Sequence, residues 1–110
     1  MRWYASLRRS GEIAAVRRRG RRAGATTLSV YALEARSLPT RVAVAVSKSV
    51  GGAVERNRVK RRIKGALDAL AMPSAPVRLV LIARPAAASE PYAVLARDVA
   101  GSLARLKVLA

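Results

Sequence analysis

Between Ala53 and Leu70 the chain reads AVERNRVKRRIKGALDAL, and two patterns are superimposed there. Six of the ten residues from Glu55 to Lys64 are cationic, while Val59, Ile63, Ala66, Leu67 and Leu70 recur at i, i+4, i+7, i+8 and i+11. The apolar set forms one stripe at a period of 3.6, which predicts a helix with an apolar core face. Around that helix Arg58, Arg61, Asn57 and Lys64 fall on the far side, Lys60 and Arg62 flank the stripe, and Arg56 lies near its apolar edge in the first turn. Burying Val59, Ile63, Leu67 and Leu70 contributes on the order of 6–10 kcal/mol before entropy. That is enough to hold mutually repelling charges in one helix. The remainder of the chain is then expected to be the frame that presents this surface.

The charge imbalance is general. Lysine and arginine total 22 against 6 acidic residues, a net +16 in 110 residues, far beyond what solubility requires. A polyanionic partner follows. Nucleic acid is favoured, with an anionic membrane surface or an acidic protein as the alternatives, because no apolar run approaches the roughly 20 residues of a spanning helix. MRWYASLRRS at the N-terminus has no apolar signal-peptide core, so a cytoplasmic protein without membrane attachment is expected. With no cysteine and no histidine, disulfides, thiolate or imidazole metal sites and the usual general base are excluded. Glu12, Glu34, Glu55, Asp68, Glu90 and Asp98 are too scattered to suggest acid–base work or a two-metal site, and no catalytic side chain or small-molecule substrate is predicted. All the cations but Lys48, Lys60, Lys64 and Lys107 are arginine, whose planar fork suits bidentate phosphate recognition.

The length implies one domain, residues 1–110. Residues 1–9 read as an extended or mobile segment whose Trp3 and Tyr4 either stack on bases or pack with Leu7 over the core. Ser10 is expected to cap a short helix through Ile13 and Val16 to about Arg19, ended by Gly20. Arg17–Arg22 reads as a charged surface patch which, beside the basic helix, extends one surface toward an anionic partner. A strand follows from Thr27 to Leu33, with Leu28, Val30 and Ala32 on one face and Ser29, Tyr31 and Leu33 on the other. A second runs from Arg41 to Ser47, with valines on one face and the small Ala43, Ala45 and Ser47 on the other. Lys48–Gly52 is a loop whose glycines can expose amides to phosphate. After the basic helix, Pro73 and Pro76 enforce a stop. Val77–Ala83, almost continuously apolar, is expected in the middle of the sheet. Ser89 is then predicted to cap a last helix with Tyr92, Leu95, Val99, Leu103 and Leu106 on its core stripe. The predicted class is α+β, an α/β sandwich of order α-β-β(-β)-α-β-α around a small mixed sheet.

The segment Val42–Lys64, VAVAVSKSVGGAVERNRVKRRIK, resembles the protein component of bacterial ribonuclease P, in which a strand ending in Ser-Lys leads through a glycine-containing loop to an Arg-Asn-Arg run on a basic helix. Arg56-Asn57-Arg58 carries the likeness, with Leu7, Val16, Gly20, Tyr31 and Ile82-Ala83-Arg84 agreeing more loosely. The resemblance implies a βαβ crossover of left-handed sense, an exception to the usual rule. It implies a protein that binds ribonuclease P RNA and precursor tRNA while the RNA performs Mg²⁺-dependent removal of the 5′ leader, the Mg²⁺ being held mainly by the RNA subunit and substrate. By the same resemblance Ser47, Lys48, Gly51, Arg56, Asn57, Arg58, Lys60, Arg61 and Lys64 contact the catalytic RNA, and Ile13, Arg17 and Tyr31 line the leader cleft. Ile13 and Arg17 stand where the family usually has aromatic residues, and Ser49 where it has a second lysine. A small ribosomal or other structural RNA-binding protein with a similar basic helix is the rival reading.

Overall fold

The computed structural model describes residues 2–71, 73 and 75–108. Five strands form one mixed sheet in the order β1-β4-β5-β3-β2: β1 (Tyr4–Ser6), β2 (Arg21–Gly24), β3 (Leu28–Glu34), β4 (Thr40–Ala45) and β5 (Val77–Ala83). β4 pairs parallel with β5 and with β1, whereas β3 runs antiparallel to β5 and β2. The basic helix α2 (Ala53–Asp68) is the crossover between β4 and β5, and α4 (Tyr92–Arg105) packs beside it. The short α1 (Ser10–Arg19) covers part of the opposite face, and α3 (Ala86–Ser89) precedes α4.

Strand alternation divides the interior. Leu28, Val30, Ala32, Val42, Leu79 and Leu81 point to the α2–α4 side and meet Val59, Ile63, Leu67, Leu95, Val99 and Leu103 in the larger core. On the other face Val80 joins Leu7 and Val16 beneath α1 in a smaller cluster, with Ile13, Tyr31, Leu33, Ala43 and Ile82 half-buried around it. Apolar burial of β5 on both faces follows from its central place. Thr27, fully buried where the chain enters β3, gives its backbone N–H (3.1 Å) and hydroxyl (2.6 Å) to the Asp98 carboxylate on α4.

The structure corrects several expectations. The arginines of Arg17–Arg22 are exposed as expected, but the end of this stretch is also a strand: Arg21–Gly24 pairs with β3 and buries only Ala23. Of the two readings of the N-terminal segment, the extended one that packs over the core holds: it forms the edge strand β1, and the Trp3 indole N–H donates to Leu67 O at 3.0 Å, fastening this end to α2. Ser10 does not cap α1. The Arg9 carbonyl already accepts the Ile13 N–H at 3.0 Å, placing Ser10 inside the first turn. Gly20 does end α1, and a Cβ there would stand 2.8 Å from Ala32 O, closer than two packed elements allow. Ser89 closes α3 instead of capping α4. Glu90 is extended, and Pro91, which has no N–H to leave unsatisfied, sits at the α4 cap. Tyr92, expected in the core, is 41% exposed because it begins α4 a turn before Leu95 reaches the sheet.

Asp98→Ala leaves the two Thr27 donors unpaired inside the protein. The expected loss is about 1–3 kcal/mol, read as a melting temperature lower by about 5–15 °C in a calorimetric scan. An unchanged melt would show that the Thr27–Asp98 contact does not fasten α4 to the sheet.

Candidate nucleic-acid interface

Val59 and Ile63 are fully buried under α2, and this fixes how its cations are displayed. At 100° per residue, Arg56, Lys60 and Lys64 form one row along the flank facing β4, and Arg58 and Arg62 form a row along the opposite flank. Arg61 stands outermost and exposed. The rows have different fates. Arg58 donates to Ala88 O at 2.8 Å and Arg62 to Glu90 O at 3.3 Å, so both brace α2 against the α3–α4 connection. Arg56 and Lys60, with Asn57, surround a hollow beside Val46, whereas Lys60 and Lys64 border a groove with Tyr4, Ile13, Ala43 and Val44. Arg56, near the apolar side as expected, is half-buried.

Among the described residues the ion pairs are Arg2–Asp68, Arg9–Glu12 and Arg78–Glu12, and none engages a cation of α2. Among the described residues no carboxylate therefore neutralises the six positive charges from Glu55 to Lys64, of which Arg58 and Arg62 meet backbone carbonyls. The loop before the helix adds to them. Ser47 and Lys48 are exposed, the Ser47 and Ser49 hydroxyls lie 2.6 Å apart, and Lys48–Val50 makes one 3₁₀ turn closed by Gly51 N–H to Lys48 O. Gly51 has φ 155°, a conformation open chiefly to glycine. A Cβ on Gly51 would run into the Glu55 side chain, whereas Gly52 has open space around it. The first α2 amides have no side-chain cap.

The opposite face of the sheet holds the other candidate residues. Strand register sets Ala43, Val80, Tyr31 and Arg22 in one row across β4, β5, β3 and β2, and Ala45, Ile82, Ser29 and Gly24 in the next. The small alanines leave this face shallow where α1 does not cover it. Arg17 from α1 stands 5.8 Å from the Tyr31 ring centroid, and Ile13 packs one turn earlier against the Leu7–Val80 cluster. Arg17 and Tyr31 are thus brought together, with Ile13 at the groove beside them. Arg22, expected in the basic patch but not among the cleft residues, lies 6.0 Å from the same ring and donates to Ser29 Oγ at 3.0 Å. Its position depends on β2, which shows no alternation to reveal a strand. Tyr31 therefore carries two guanidinium groups, a cation–π arrangement that leaves their charge available.

Tyr4 lines the groove with a buried hydroxyl that has no hydrogen-bond partner among the described residues. Burial first, and then the Asp68 carboxylate, push its pKa above the ordinary phenol value. Arg2 donates to both Asp68 oxygens at 2.9 and 3.1 Å, which raises the guanidinium pKa. No three His, Cys, Asp or Glu side chains cluster as metal ligands among the described residues. No helix among them is long and apolar enough to cross a membrane.

The family model described as Ribonuclease P matches residues 1–107. A ribonuclease P protein component from Beutenbergia cavernae is 45% identical over 102 residues, spanning 91% of this chain and 86% of its own length. One from Streptomyces bikiniensis is 41% identical over 110 residues, spanning 91% and 89%. Among solved structures, the RNase P protein of Staphylococcus aureus superposes with a TM-score of 0.85 at 20% identity over 100% of both chains. That of Thermotoga maritima gives 0.78 at 16% identity over 96% of this chain and 97% of its own. At such identities the structural likeness bears on the fold.

The two loop glycines give a paired test of the local geometry. Gly51→Ala is expected to cost about 1–3 kcal/mol, the scale for a non-glycine residue forced into a sparsely populated backbone region, whereas Gly52→Ala, at the α2 N-cap with open space around it, should cost less. Equal melting temperatures for the two variants in parallel thermal scans would contradict the backbone described for this turn.

Proposed function

The chain belongs to the ribonuclease P protein family, and from that premise we propose that it binds the catalytic RNA and assists removal of the 5′ leader from precursor tRNA. The observation that carries this reading is the α2 surface: a helix whose cations have no carboxylate partner among the described residues, bordering a groove that opens toward the sheet face under α1. Arg56, Asn57, Lys60, Arg61 and Lys64 supply phosphate contacts to the catalytic RNA, joined by Ser47, Lys48 and the backbone at Gly51. Arg58 takes a divided role: its Nη2 holds Ala88 O, leaving its other nitrogens for phosphate. The leader lies in the groove against Ile13, Arg17 and Tyr31, held more by guanidinium groups than by aromatic stacking.

Hydrolysis is assigned to the RNA. The Mg²⁺ it needs is held mainly by the RNA and the substrate, whose oxygens are the hard ligands this ion prefers. The protein's part is to offset phosphate repulsion, so that catalytic RNA and precursor associate at lower Mg²⁺. The setting is the cytoplasm, where precursor tRNA is made in bacteria.

Reconstitution tests the proposal. Added to a bacterial ribonuclease P RNA at low Mg²⁺, the protein should stimulate precursor cleavage. Affinity for that RNA should fall about a thousandfold between 50 and 200 mM salt if some six phosphates are contacted. Arg61→Ala with Lys64→Ala should weaken binding and flatten the salt dependence while leaving the circular dichroism spectrum unchanged. Absence of stimulation, with RNA binding retained, would favour a structural RNA-binding protein instead.

A further inference from the structure

On the α1 face of the sheet, at the end opposite the Lys48–Val50 turn, four arginines and one carboxylate line a single hollow. Arg41 and Arg78 are register partners on the adjacent parallel strands β4 and β5 and project from the same face. Like charges directly opposite each other destabilise a sheet. Arg8 and Arg9, just ahead of α1, line the same hollow with Glu12. Glu12 lies 3.9 Å from Arg9 Nε and 3.8 Å from Arg78 Nε, longer than charge-assisted hydrogen bonds. Four positive charges against one negative leave an excess of three.

The remaining contacts hold these groups without neutralising them. Arg41 donates to Ser6 O at 3.2 Å and Arg78 to Pro39 O at 2.9 Å. The Arg78 side chain is only 17% exposed, so solvent and salt screen its charge less than they would on an open surface. The hollow shares Ser6, Leu7 and Arg8 with the groove bordered by Lys60 and Lys64, so the two are continuous around the β1–β4 edge.

We propose that the Arg8–Arg9–Arg41–Arg78 cluster is a second phosphate-binding site, which takes backbone phosphates of the precursor leader beyond the part held in the groove. This rests on the leader occupying the groove, as proposed above. Two residues along β4 separate Ala43 in the groove from Arg41, about 6.6 Å, so a strand leaving the groove meets the cluster within a short run of nucleotides. The bound phosphate relieves the Arg41–Arg78 repulsion, and Glu12 limits how tightly it is held.

The test compares precursors with a short leader ending in the groove and with a long one, using the reconstituted ribonucleoprotein. The variants are Arg9→Gln with Arg41→Gln, and separately Glu12→Gln; Arg78, the more enclosed side chain, is left in place, and the glutamine of Arg41→Gln can still donate toward Ser6 O. The double variant should lose about tenfold in affinity for the long-leader precursor and lower its salt slope by about 0.7, the loss of one single-strand phosphate contact. It should bind the short-leader precursor as the parent does, and Glu12→Gln should tighten the long-leader complex. Equal loss on both precursors, or no loss on either, overturns the proposal. If the parent protein does not distinguish a short-leader precursor from mature tRNA, it is the groove assignment that fails.

Discussion

Val59, Ile63 and Leu67 have no solvent-accessible surface beneath α2, and their four-residue spacing gives the helix a single rotational setting on the sheet. Each of these side chains is worth roughly 1.5–3 kcal/mol in burial, whereas a repulsive i, i+4 pair on an exposed helix costs only about 0.2–0.5 kcal/mol. Hydrophobic contact therefore wins over charge repulsion. In this setting Arg56, Lys60 and Lys64 face the β1–β4 edge and Arg58 and Arg62 face α3. The parallel pairing of β4 with β5 reinforces the arrangement, since the crossover between them must return over a sheet face.

The sheet is loaded unequally. One face carries α2 and α4 over a thick core, while the other carries ten residues of α1 over a small cluster and leaves part of its surface shallow. Ala43 and Ala45 keep that surface low, Tyr31 gives it an aromatic ring, and Arg17 and Arg22 bring charge from either side. Two anion-seeking regions, on α2 and beneath α1, thus meet around one sheet edge. A chain without histidine or cysteine thus presents mainly guanidinium and ammonium groups on these surfaces, in keeping with a ribonuclease P protein component.

Much of this was legible in the residues. Period-two alternation located β3 and β4 to within two residues, and the apolar run Val77–Ala83 coincides with the bounds of β5 and correctly implied its central place. The stripe of α2 was equally clear because five apolar positions repeat against a charged background. β1 and β2 were not legible, since each is defined by a partner distant in sequence or by backbone pairing alone. RRAG carries one buried side chain, too little for periodicity to register. At the candidate site the same limit applies: the family resemblance named Arg17 and Tyr31, which the structure brings together, but Arg22 comes to the ring only through β2. The tie from Arg58 to Ala88 could not be foreseen, because Ser89 read as the cap of one long helix rather than the end of a separate short one.

The three-residue pairing of β1 with β4 has a kinetic side. It joins Tyr4 to Thr40 across a long stretch of chain, with three register pairs against seven for β3 on β5. A contact so distant and so short forms after the central strands have met, since loop closure must come before its few hydrogen bonds can repay it. By the same reasoning it opens at a fraction of the free energy of global unfolding. β1 is also a wall of the groove, through Tyr4 and Ser6. The width of the groove is thus tied to a short edge strand, whose three register pairs are supplemented by the Trp3 and Arg2 contacts to α2.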